Sequence, residues 1–234
     1  MLPISMVIML ILTFISYFLV KKNSKYRNLP LKIISIIVVM MEVRKQIRNF
    51  EVGFGYWDLP LHYCSLFVFF FPLAQFGNEK IKAYFKPVAL SCAITVSFGV
   101  YIAPHAIIGN ACDNILESFG DLHTFMFHHL VILYSLVSIV LIDYAPKKND
   151  YKKIGLVMFI YGIIAIIASN VLDTNYCNFL YSSLDFLDEM RLEYGQILYT
   201  LFIFIAIILG TSLVSYWYYL IFNKINKKAS LCKE

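Results

Sequence analysis

The run Leu59-Pro60-Leu61-His62-Tyr63-Cys64 places an imidazole and a thiol at the start of a long apolar stretch. A pair of imidazoles, His128-His129, sits in a later Phe-rich stretch, Phe125-Met126-Phe127-His128-His129-Leu130. The thiolate is the nucleophilic form of cysteine, and a neighbouring imidazole both takes the thiol proton and holds the resulting ion pair. Such a pair attacks an ester carbonyl to give an acyl-enzyme, which then passes its acyl group to water or to another hydroxyl. With both stretches read as helices, Cys64 lies ~7.5 Å along one from Leu59 and His128 lies ~9 Å along the other from Leu122. The two reach similar depth, so Cys64 is the candidate nucleophile and His128 the candidate base. Asp121, Thr124 and His128 fall near one helical face, and Thr124 or Asp121 is expected to orient the imidazole. His129 points about 100° away and is the alternative base. His62, two positions from Cys64, would face elsewhere on a helix and is the poorer partner. The competing reading of Cys64 is a small buried hydrophobe, since free cysteine is among the most buried residue types.

The elements that must position these groups belong to a membrane. The chain is 60% hydrophobic and 17% aromatic against 15% charged, with a mean hydropathy of +0.70, whereas soluble domains carry about 25% charged residues. Seven segments approach the roughly 20 residues that cross ~30 Å of hydrocarbon: about 3–20, 30–50, 59–77, 88–108, 122–142, 154–173 and 195–222. The expectation is an all-α polytopic transmembrane helix bundle, one integral membrane domain over 1–234, with six spans as the alternative count. Sixteen of the twenty basic residues fall on one side of this arrangement, among them Lys21, Lys22, Lys25, Lys147, Lys148, Lys228 and Lys233. Basic residues favour cytoplasmic loops, so the N-terminus is placed outside and the C-terminus inside, in a multi-pass protein of the cell membrane. All five histidines then fall in the outer half. The first span has no basic run before it, and is expected to stay attached as an anchor. The chain's net charge of +5 is accounted for by loops that face anionic lipid; no nucleic acid is implied.

Other polar residues carry competing readings. Glu42, Arg44, Lys45 and Arg48 crowd the end of the second span; Glu42 and Lys45 are spaced to pair, while Arg44 and Arg48 either snorkel to headgroups or hold a lipid phosphate beside the thiol. His105 and His123 read as interfacial or helix-end residues. None of the histidines has metalloprotease spacing, so neither a metal nor another cofactor is expected. Cys112 and Cys177 both lie in outer connectors as candidates for a disulfide, a pairing that sequence does not decide; Cys92 and Cys232 are read as inert. Trp57-Asp58 and Tyr216-Trp217-Tyr218-Tyr219 are read as interfacial aromatic belts.

Leu59-Pro60-Leu61-His62-Tyr63-Cys64, Phe127-His128 and Thr174-Asn175-Tyr176 after an Asn170-containing span together resemble the bacterial YwaF-like integral membrane proteins. That family is similar to the eukaryotic transmembrane protein 164, a lipid acyltransferase, and more distantly to the androgen-induced membrane hydrolases. The resemblance covers roughly Glu42 to Tyr199. It implies Cys64 and His128 as catalytic residues, although His129 departs from the small residue expected after the motif histidine. The expected function is therefore a membrane-embedded lipid acyltransferase or lipid hydrolase at the outer leaflet. Cys64 would act on membrane phospholipids with His128 as base, His62, His129, Asn175 or Asp121 as support, and Arg44 and Arg48 on phosphate. The alternative is a non-enzymatic transporter or membrane subunit that binds a small solute or metal between its helices.

Overall fold

The structure, a computed structural model, describes residues 2–22 and 26–231, with side chains described for 3–22 and 26–227. Lys25, Cys232 and Lys233, and the side chain of Lys228, lie outside the described residues. Within them the chain forms nine α-helices and no strands. These are α1 (Leu2–Lys22), α2 (Leu29–Val52), α3 (Phe67–Phe76), α4 (Glu79–Ile102), α5 (Pro104–Ile108), α6 (Phe119–Val140), α7 (Asp150–Val171), α8 (Asp185–Tyr194) and α9 (Gln196–Leu231).

Local chemistry explains several boundaries. Pro30 occupies the first turn of α2, where its missing N–H has no helical partner to lose. Gly53 ends α2 at φ +121°, a conformation that a side chain would resist. Asn78 caps α4 by accepting the Ile81 N–H at 3.0 Å. Ser118 caps α6 by accepting the Asp121 N–H at 3.0 Å, and its hydroxyl donates to the Asp121 carboxylate. Asp121 thus serves the start of the helix.

Among the described residues five helices are long and apolar enough to cross a membrane: Pro3–Lys22, Glu79–Ile102, Phe119–Val140, Asp150–Val171 and Gln196–Lys227. Two of the seven expected segments do not qualify on this basis. α2 has the length, but its second half carries Glu42, Arg44, Lys45, Arg48 and Glu51. The third is a short apolar helix, Cys64–Phe76, which at 1.5 Å per residue extends only ~20 Å.

α2, α3, α4 and α6 close a ring in which α2 and α4 each touch both α3 and α6. Phe71 of α3 and Tyr134 of α6 stack at 3.7 Å in its interior, with Val38, Ala89, Ala93 and Val131 buried around them. α1 lies against α6, while α9 packs along α7 and α4. The end of α6 is clamped by polar groups: Gln75 donates to the Tyr134 hydroxyl at 2.8 Å, Lys86 pairs with Asp143 at 2.7 Å, and Arg27 donates to the Leu141 carbonyl at 2.8 Å. The start of α6, at the other end of the ring, is left to build the site.

On the outside, α1 and α7 expose rows of apolar side chains, including Ile4, Phe14, Leu19, Ile160, Ile164 and Ile167. Water penalises such a surface. Hydrocarbon does not, and helices satisfy their own backbone groups there.

Candidate functional site

A cavity of about 370 Å³ opens between the charged half of α2, the segment before α3 and the first turns of α6. Cys64, His62 and Ser65 line it from the segment, His123, Thr124 and His128 from α6, and Glu42, Lys45, Arg48 and Asn49 from α2.

The segment that carries Cys64 departs from the expected helix. Asp58 fastens it to α2, since its carboxylate accepts from Asn49 Nδ2 at 2.7 Å and its carbonyl from Gln46 Nε2 at 2.6 Å. Leu59 is extended, with ψ 141°, as the residue before a proline prefers. The Leu61 N–H turns back to the Leu59 carbonyl at 2.7 Å, and the Tyr161 hydroxyl of α7 donates to the Leu61 carbonyl at 2.8 Å. A single 3-10 turn, Cys64–Leu66, precedes α3. The helical spacing that separated His62 from Cys64 therefore does not apply, and both side chains line the cavity. The His62 ring packs against Trp57 at 4.2 Å and Tyr176 at 5.2 Å. Trp57, expected at a membrane interface, also lines the cavity.

On α6 the adjacent imidazoles part company. His128 Nδ1 lies 2.8 Å from the Thr124 carbonyl. A carbonyl only accepts, so Nδ1 carries the proton and Nε2 the lone pair that a base needs. His129 is not among the cavity-lining residues; its Nδ1 donates to the Phe125 carbonyl at 2.7 Å, and its Nε2 accepts from the Ser5 hydroxyl of α1 at 2.7 Å. Its ring stacks on Phe125 at 3.9 Å. The orienting group for His128 is thus the Thr124 backbone, while Asp121 is occupied at the cap.

Glu42 is buried and accepts from Lys45 at 3.2 Å and Gln46 at 2.7 Å, the pairing that its spacing suggested. Arg48 and Arg44 lie over the Phe119 ring at 4.3 and 5.3 Å, close enough for cation–π attraction. Arg48 lines the cavity and Arg44 does not. Asn175 is also away from it: its side chain accepts from the Leu180 N–H and donates to the Tyr181 carbonyl, each at 2.9 Å, and so holds the loop after α7.

His123 is the group the sequence undervalued. Its ring stacks between Phe119 at 6.2 Å and Phe127 at 5.6 Å, a row at i, i+4 and i+8 that is visible in the sequence. The Nε2 atoms of His62 and His123 are both buried with no hydrogen-bond partner among the described residues. An unpaired buried polar group costs about 1–3 kcal/mol. His105 is exposed, 3.7 Å from Asp113, and outside the cavity wall.

Cys64, Cys92, Cys112 and Cys177 are free thiols. The Cys177 sulfur contacts the Tyr161 hydroxyl at 2.6 Å, and burial pushes this thiol up to about 12, which keeps it protonated and unreactive. Among the described residues no group of three or more His, Cys, Asp or Glu is placed to hold a metal ion.

No curated protein and no solved structure matches the chain. The model of the TMEM164 family matches residues 1–218, and with nearly its whole length covered this helical membrane protein belongs to the TMEM164 family.

Proposed function

We propose that the protein is a membrane-embedded lipid acyltransferase or lipid hydrolase in which the Cys64 thiolate attacks a lipid ester and His128 Nε2 takes the thiol proton. The observation that carries this reading is the shared cavity: Cys64 and His128 both line it, and the Thr124 carbonyl fixes the imidazole in the tautomer with a basic Nε2. In acylation the S–H proton passes to His128, sulfur bonds to the carbonyl carbon, the ester C–O bond breaks, and the proton goes to the departing oxygen. His62 supports the nucleophile from the same short segment. Arg48 is the phosphate contact, with Arg44 held behind it on Phe119.

The same proposal takes the bundle as one integral domain of the cell membrane. It has seven spans, with α2 and the Cys64–Phe76 helix added to the five apolar ones, the N-terminus outside and the site at the outer leaflet. Membrane phospholipids are the substrates. The test is acyl transfer and fatty-acid release from phospholipid vesicles by the purified protein. Substitution Cys64→Ala is expected to abolish both, and His128→Ala to slow them by roughly 10²–10⁴-fold, the usual contribution of a general base. Full activity in either variant would refute the assignment, and solute flux without lipid turnover would favour a transporter.

A further inference from the structure

Acyl transfer has two halves, and His128 is claimed by the first. The acyl-enzyme must then meet an acceptor hydroxyl, on a lipid or in water, that gives up a proton. Two further imidazoles line the cavity. His62 enters from the Cys64 segment and His123 from α6, five positions before His128. Each ring is fixed, His62 against Trp57 and Tyr176 and His123 between Phe119 and Phe127. The Nε2 of each is buried without a partner among the described residues. Buried, unpaired nitrogens on two rings that line one cavity are suited to a ligand that donates hydrogen bonds.

Resting on the proposed Cys64 chemistry, we infer that His62 and His123 form the subsite for the hydroxyl that resolves the acyl-enzyme, with His123 taking its proton. In that step the acceptor O–H proton passes to His123 Nε2, and the acceptor oxygen bonds to the acyl carbon. The C–S bond breaks and the proton returns to the Cys64 sulfur. His62 Nε2 positions the acceptor. The assignment separates the bases of the two half-reactions, with His128 serving acylation and His123 deacylation.

Single-turnover kinetics test this on the full chain in phospholipid vesicles. Cys64 is loaded from a labelled acyl ester, loading is read by intact mass, and loss of label is followed with water alone or with added lysophospholipid. His123→Ala and His123→Gln are expected to load within about threefold of the unmodified protein and to unload roughly tenfold or more slowly. His62→Ala is expected to lose the lysophospholipid-dependent arm first. Unloading at the unmodified rate in the His123 variants would overturn the subsite alone, as would loading and unloading that fall together in both of them. Failure of the unmodified protein to load at Cys64 would overturn the Cys64 reading itself, and the subsite with it.

Discussion

A histidine at a helix position is defined by what its two nitrogens touch. His128 spends Nδ1 on Thr124 and its ring lines the cavity, whereas His129 spends Nδ1 on Phe125 and Nε2 on Ser5. Their substitutions should therefore separate function from stability. His129→Ala is expected to lower unfolding stability by about 1–3 kcal/mol through the lost α1–α6 bond while preserving most lipid turnover; His128→Ala, which also loses a buried ring and its bond to Thr124, should in addition lose most turnover. Thermal unfolding in detergent alongside an activity assay checks this, and equal loss of activity in both variants would contradict it. The sequence showed the thiol, the paired imidazoles and the Glu42–Lys45 spacing. It did not show which imidazole turns inward, because that depends on the position of α1, more than a hundred residues away. It also did not mark His123, whose place follows from α2 closing over the first turns of α6.

At the scale of elements, the long helices follow directly from apolar length: α1, α2, α6 and α7 lie close to the expected segments, whereas the expected 88–108 span begins earlier, at Glu79, and breaks at Ala103 into α4 and α5. The segment before α3 was not legible as a turn, because Pro60 in an apolar run reads equally well as the first turn of a helix. Asp58, Asn49, Gln46 and Tyr161 decide the matter through bonds from other elements. Two contacts make element-level predictions. A Cβ at Gly162 of α7 would stand 2.5 Å from the Phe204 ring of α9. Gly162→Val is therefore expected to cost about 1–3 kcal/mol by overpacking, read as a lower unfolding temperature; an unchanged temperature would deny the close approach. On α8, which the sequence reading did not anticipate, Arg191 donates to Asp188 at 2.8 and 3.1 Å and holds its carboxyl below the ordinary carboxylate value. A depressed folded value means that this support is present above the unfolded value and is lost as pH falls through the folded one. Hydrogen exchange across α8 should accordingly rise below about pH 4. In Arg191→Ala that pH dependence should flatten, and an unchanged profile would remove the pair as its cause.

For the whole molecule, membership of the TMEM164 family and five long apolar helices agree on a membrane protein. Membrane character was the most legible property of the sequence, because composition alone carries it. The placement of α2 is harder to read, since a helix with five charged residues in its second half hides them only when neighbours supply partners, as Gln46 and Lys45 do for Glu42. The seven-span proposal predicts that single cysteines at Lys21 and Lys147 are labelled by an impermeant maleimide only after the membrane is opened, and one at Asp185 without opening. Reversed accessibility would put the cavity on the other side.

If Cys64 carries the acyl group with His128 as its base, intact-mass analysis of the purified protein, quenched during turnover of a phospholipid, detects the adduct. The expected result is a mass increase of one acyl chain on Cys64, removed by hydroxylamine, absent in Cys64→Ala and sharply reduced in His128→Ala. Lipid turnover that proceeds in Cys64→Ala, or without any acyl adduct at Cys64 in the unmodified protein, would contradict it.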